Sequence, residues 1–208
     1  MTSLARDLQS FYDAEATQRL GRDLGPFRTG LRDEFVALIR AEGRRTVLEV
    51  GCGPGRDAAA LTAAGLTTIA CDLSFGPLRL AAASGVTAAQ ASMLTLPFAT
   101  GCFAAAWTMS TFVHVPDAMV TTAISELVRV VEPGGFIGMG TWGGVDSEAV
   151  SDRDSIQPAR LFCRRSHVRW RRLLGEYGDV ERFDTFDLGE QPAGWDYQFA
   201  IVRTPRSA

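Results

Sequence analysis

The apolar residues of this chain alternate between a helical and a strand-like period. Leu4, Leu8, Phe11 and Tyr12 share one helical face with Arg6, Asp7 and Asp13 off it, which predicts an amphipathic helix over residues 3–20. The stretch from Gly21 to Gly25-Pro26 breaks it, and Leu31, Phe35, Leu38 and Ile39 predict a second helix over residues 27–42. The period then shortens. Thr46-Val47-Leu48 and Val50 form the partly β-branched run of a strand covered on both faces. A helix over residues 56–64, a strand at 67–71, a brief helix at 78–83 and strands at 86–90 and 103–109 follow. Asp117 is the expected N-cap of a helix over residues 118–131, in which Met119, Ala123, Leu127 and Val130 share a face. Glu132-Pro133-Gly134-Gly135 ends it and leads into a strand at 136–142. Residues 143–157 have no apolar period, and a polar loop of that length is expected to be a lid or substrate-binding loop. Ser166 is the expected cap of a helix reaching Tyr177, and residues 179–188 and 195–203 read as an antiparallel strand pair. Alternating strands and helices closed by a hairpin predict an α/β fold: a mostly parallel sheet with one reversed strand near its edge and helices on both faces, in a single domain over residues 1–208.

The stretch at residues 46–55, TVLEVGCGPG, carries the first chemical signal: a buried strand running into a turn with Gly51, Gly53 and Gly55 at alternate positions, then a helix. Such a turn sits where open α/β sheets bind nucleotide-like ligands, facing the free N–H groups of a helix N-terminus. The spacing is GxGxG rather than the GxGxxG of dinucleotide folds. Asp72 ends the next strand, where an acid takes both hydroxyls of a ribose. The alternative is a structural turn with Asp72 capping the helix after it.

Composition narrows the classes. The 208 residues are 46% apolar with a formal charge of −3, which argues against nucleic acid or an anionic membrane as the main partner. No apolar run approaches a bilayer span, and charges interrupt residues 1–20, so a cytoplasmic chain without signal peptide or membrane anchor is expected. All 21 basic residues are arginine, which excludes lysine Schiff-base chemistry and the P-loop lysine. Cys52, Cys71, Cys102 and Cys163 lack CxxC spacing and His114 and His167 stand apart, so neither a disulfide framework nor a metal site is expected.

Taken in order, VLEVGCGPG, CDLS, ASMLTLPF, FAAAWTMSTFVHVPD and ELVRVVEPGG resemble the motifs of class I S-adenosylmethionine-dependent methyltransferases, in particular small-molecule enzymes with GPGRDA after the glycine turn. The resemblance covers residues 44–142 and extends more loosely over ARLFCRRSHVRWRRLL. It implies a Rossmann-like seven-stranded sheet with S-adenosylmethionine across the carboxyl ends of the first two strands. Gly51, Gly53 and Gly55 would line its methionine part, and Glu49 would hold its amino group. Asp72 would bind the ribose, with Leu73 and Met93 against the adenine. Ser92 stands where similar enzymes carry an acid, giving up a charge-assisted bond to the adenine amino group. Thr108 would offer its backbone near the methionine portion.

Methyl transfer to a small-molecule acceptor is the activity the resemblance implies, in natural-product biosynthesis for example, by a monomer or homodimer. The alternative is a donor-binding protein that catalyses a non-methylating reaction or acts as a binding module. His114, after the fourth strand, is the candidate catalytic residue: it orders the acceptor pocket and can act as base, or it only bonds backbone before Pro116. Tyr12 and Arg160 are the candidate acceptor-binding residues, in an N-terminal helical cover (residues 1–30) and a substrate loop (residues 143–165). The basic run Arg160, Arg164, Arg165, Arg169, Arg171 and Arg172 reads as a solvated face or as the receptor of an anionic small acceptor, and His167 within it as exposed.

Overall fold

A computed structural model of the chain describes residues 3–22, 24–189 and 194–206. The apolar runs read from the sequence become strands β1 (Thr46–Val50), β2 (Thr67–Asp72), β3 (Ala88–Gln90), β4 (Phe103–Met109) and β5 (Val131–Gly143), all mutually parallel. Two more strands follow the short β6 (Ser147–Val150) and β7 (Leu161–Arg164). These are β8 (Asp179–Phe186) and β9 (Asp196–Arg203), and together they complete a seven-stranded sheet of order β3-β2-β1-β4-β5-β9-β8. Only β9 runs against its neighbours, pairing antiparallel with β5 and β8. The order reverses between β1 and β4, the switch point where open α/β sheets form a crevice at the carboxyl ends of their strands.

Period-two alternation assigns each strand side chain to one of two cores. Val47, Ala105, Trp107 and Phe136 face helix α2 (Gly25–Ala41) with its Leu31, Phe35 and Ile39, while Leu48, Val50, Ala106 and Ile137 face helix α5 (Asp117–Val130) with its Ile124 and Leu127 and helix α6 (His167–Gly175) with its Trp170. Every residue of β4 is buried, and its alanines let helices approach on both sides. Helix α3 (Arg56–Ala63) follows the glycine turn and helix α4 (Phe75–Ala83) follows β2. Helix α1 (Ser3–Leu20) lies along α4, where Asp13 accepts the Gly76 N–H at 2.6 Å.

Two local expectations are corrected. The segment expected as loop contains strand β6 (Ser147–Val150), paired antiparallel with β7 (Leu161–Arg164) from Ser147↔Arg164 to Val150↔Leu161 in a separate two-stranded sheet. Most of β6 is exposed, so it has no apolar face to show in sequence. Asp117 is not an N-cap but the first helical residue, with Pro116 in the cap position. Its carboxylate turns instead to Arg165 at 2.9 Å and Arg169 at 2.8 Å. No described helix is long and apolar enough to cross a membrane.

Candidate active site

One cleft of about 750 Å³ opens at the carboxyl ends of β1, β2 and β4, within the size range of small-molecule sites. Leu4, Leu8, Tyr12 and Arg19 of α1 form one wall, the glycine turn and the end of β2 the floor, and the β6–β7 hairpin the opposite side.

The three turn glycines serve different ends. At Gly53 a Cβ would meet nothing within 4 Å, so the turn leaves open space there, and its φ of +54° is one that side-chain-bearing residues rarely adopt. At Gly51 a Cβ would fall 2.1 Å from Thr111 Oγ1, so its close approach is to the loop after β4. Gly55 does not line the cleft: its missing Cβ lets α4 approach, with Ala81 Cβ 2.7 Å from where it would be. Asp72 accepts the Gly53 N–H through Oδ2 at 2.8 Å and the Ser74 N–H through Oδ1 at 2.9 Å. Burial raises its pKa against these bonds. The carboxylate lines the cleft, and its two oxygens have acceptor capacity beyond these backbone bonds. Leu73, Ser92 and Met93 line the same end, and Ser92 Oγ accepts the Leu94 N–H at 3.2 Å, so the hydroxyl shapes its own turn.

Glu49 and Thr108 are buried outside the cleft lining. Glu49 Oε2 has no hydrogen-bond partner among the described residues, and burial, reinforced by nearby Asp57, raises its carboxyl well above the usual range. Asp57 itself is a hub that the sequence did not reveal. Arg28 Nη2 at 2.7 Å and Arg32 Nη1 at 3.3 Å reach its carboxylate, and Trp107 Nε1 donates to it at 3.1 Å. In sequence it reads only as an acidic residue in a helix's first turn, where a negative charge is ordinarily at home.

At the far end, Tyr12 and His114 come together across 102 residues, with Tyr12 Oη 2.6 Å from His114 Nε2. His114 Nδ1 lies 2.8 Å from the Leu161 carbonyl oxygen, which can only accept. The proton therefore sits on Nδ1, and Nε2 accepts the Tyr12 hydroxyl. Arg160 Nη1 donates to the same Tyr12 oxygen at 3.4 Å, which orders the bonds from Arg160 through Tyr12 and His114 to Leu161. Burial pushes the His114 imidazole down to about 4, with the Arg160 and Arg19 charges adding to it. Arg160 is itself paired with Asp154 at 2.6 Å, which is held down at about 2, first by Arg160's hydrogen bond.

The basic run divides by strand parity. Arg160, Phe162 and Arg164 alternate toward the cleft, while Cys163 and Arg165 turn inward. Arg165 is 2% exposed and donates to the Phe112 and Val115 carbonyls. His167, expected to be exposed, is half-buried between Gln198 Oε1 and Asp196 Oδ2, each at 3.0 Å. Trp142 and Trp195 line the cleft beside Phe162 and were missed in sequence, because they lie at strand ends with no motif around them. Among the described residues no group of His, Cys, Asp or Glu converges as a metal site would require.

Comparison with known proteins bears on this cleft directly. Residues 47–135 match the family described as methyltransferase domain. The chain is 34% identical over 140 residues to a demethylmenaquinone methyltransferase of Thermobifida fusca, a match covering 62% of this chain and 58% of that protein, less than two-thirds of the relative's length. Among solved structures, the Burkholderia thailandensis 1,6-didemethyltoxoflavin-N1-methyltransferase, bound to 1,6-didemethyltoxoflavin and S-adenosylhomocysteine, superposes with a TM-score of 0.74 at 20% identity, covering 99% of this chain and 92% of that one. The [4+2]-cyclase SpnF superposes with a TM-score of 0.74 at 15% identity, covering 99% and 98%. At these identities the two structures establish the fold.

Proposed function

We propose that this chain, which matches a methyltransferase domain over residues 47–135, takes S-adenosylmethionine as donor and transfers its methyl group to a small-molecule acceptor, in natural-product biosynthesis for example; the neighbour bound to 1,6-didemethyltoxoflavin and S-adenosylhomocysteine supports the reading. The observation that carries this reading is Asp72. It ends β2 beside the glycine turn and lines a cleft at the sheet's switch point, where a carboxylate can accept from ribose hydroxyls. The open space at Gly53 fits a ligand that approaches the backbone closely. When bound, the donor supplies a methyl group already activated on a sulfonium.

Asp72 would hold the ribose, Gly51 and Gly53 the methionine portion, and Leu73, Ser92 and Met93 the adenine. Glu49, Gly55 and Thr108 support this end from behind: Gly55 by admitting α4, the other two from the buried floor. Arg19 and Arg28 also line the cleft, the first paired with Glu15 and the second with Asp57. At the acceptor end Tyr12 presents its hydroxyl and Arg160 orders it. His114 acts as a positioning residue for Tyr12, because both its nitrogens are engaged and its pKa of about 4 makes it a weak base. Holding the acceptor aligned with an activated methyl group supplies much of the rate in such a displacement, so positioning is the main task left to these side chains.

Incubating the protein with labelled S-adenosylmethionine and candidate acceptors tests the reading: S-adenosylhomocysteine should form in step with acceptor consumption. The [4+2]-cyclase neighbour motivates a second reading, in which the bound donor serves a non-methylating reaction. Donor binding with acceptor converted and no S-adenosylhomocysteine formed would select it.

A further inference from the structure

We infer that the acceptor is a planar aromatic molecule bearing a carboxylate, its ring lodged among Trp142, Phe162 and Trp195 and its carboxylate on Arg164; this rests on the methyl-transfer reading above. The three rings are half-buried and line the acceptor end of the cleft. Trp195 stands between the others, its centroid 6.2 Å from Trp142 and 5.5 Å from Phe162, at interplanar angles of 59° and 66°. These rings already pack on one another, and a flat ring laid against the faces they leave toward the cleft gains more than an aliphatic chain of equal area.

The charge follows from how the arginines are paired. Arg160, Arg165 and Arg169 each meet a carboxylate, at 2.6, 2.9 and 2.8 Å. Arg164 has no such partner among the described residues. Its Nε donates to Ser147 Oγ at 3.1 Å and its Nη1 to the Gly194 carbonyl at 2.9 Å, which holds the planar fork in place. It lies 4.4 Å over the Trp195 ring, half-buried and facing the cleft. Burial lowers its pKa with no acid to offset it. A guanidinium fixed, partly desolvated and unpaired is completed by an anion, and its fork geometry matches a carboxylate. A cationic acceptor is disfavoured by the same groups, because Arg160 already lies 5.0 Å over Phe162 and Arg164 over Trp195.

The test uses the whole 208-residue chain with matched probes of one and two fused rings: 4-hydroxybenzoate and 6-hydroxy-2-naphthoate, their carboxamides, and cyclohexanecarboxylate. Binding is read by tryptophan quenching, to which Trp142 and Trp195 are exposed while Trp107 and Trp170 are fully buried. An aryl carboxylate should bind about tenfold or more tighter than its carboxamide and than the saturated acid, as expected for a charge-assisted bond. Arg164→Gln should abolish the preference for carboxylate over carboxamide while keeping the aryl preference. Equal affinity of acid and amide, an unchanged preference in Arg164→Gln, or no binding of any aryl carboxylate overturns the inference. Titrating S-adenosylhomocysteine into the same samples separates the two levels: if it binds while the aryl probes fail, the acceptor class is wrong and the donor site stands. If it also fails to bind, the methyl-transfer reading falls.

Discussion

Lowering the pH should unfold this protein partly through His114. The side chain is 8% exposed, donates from Nδ1 to a carbonyl and accepts at Nε2 from Tyr12, so the fold has no place for a second ring proton. Its pKa of about 4 lies below the ordinary imidazole value of about 6.5, so between those values the unfolded chain binds the proton and the native chain does not. Stability from this residue is therefore complete above about pH 6.5 and declines as pH falls toward 4. The full difference of about 2.5 pKa units corresponds to about 3 kcal/mol. At pH 5 the unfolded imidazole is protonated in roughly thirtyfold excess, a loss of about 2 kcal/mol relative to pH 8. Carboxylates also begin to titrate as the pH falls, so the measurement is a difference: urea unfolding of the wild type and His114→Gln at pH 8 and pH 5, followed by circular dichroism. The wild type should lose about 2 kcal/mol more than the variant on going to pH 5. A stability gap that stays constant to within about 0.5 kcal/mol, or that widens toward acid in favour of the wild type, would refute the assignment of a buried neutral imidazole.

The two glycines that flank Pro54 should respond differently to the same substitution. Gly55→Val drives a Cβ to within 2.7 Å of Ala81 at a φ of +78°, and should lower stability by about 2–4 kcal/mol, read from the urea midpoint. Gly53→Val meets no protein atom within 4 Å and should cost only the backbone strain of about 1–2 kcal/mol, while calorimetry shows S-adenosylhomocysteine binding lost because the side chain fills the cleft. Arg28→Met strips two contacts from an Asp57 side chain of 0% exposure. It should destabilise by about 3 kcal/mol at pH 7, the low end of the range for a broken buried pair because Arg32 and Trp107 remain. Unchanged unfolding of that variant would remove the Asp57 hub from the account.

The sheet was legible because its central strands are buried on both faces, which leaves short apolar runs bounded by glycine turns, as at residues 46–55 and 103–109. Asp72 was legible for a similar reason, since the position where a strand ends is where its chemistry faces the cleft. The β6–β7 hairpin was not. It packs no core of its own, so neither strand carries an apolar alternation. Within the basic run, sequence favoured Arg160, yet Arg160 is committed to Asp154, while Arg164 faces the cleft with no carboxylate partner among the described residues. The strand register turns both toward the cleft and Arg165 away from it, and the Asp154 carboxylate on Arg160 is what separates the two. Contacts between distant segments, such as Tyr12 with His114 or Arg28 with Asp57, leave no local trace, because neither partner's neighbours need to change to accommodate them.

Donor recognition at the end of β2 is the central claim, and calorimetric titration of S-adenosylhomocysteine into the wild type and Asp72→Ala tests it most directly. The wild type should bind, and the variant should bind about 10- to 150-fold more weakly, the equivalent of about 1.5–3 kcal/mol for hydrogen bonds to a charged group, with its unfolding transition retained. Equal affinity in the two proteins would place the ribose elsewhere and contradict the account.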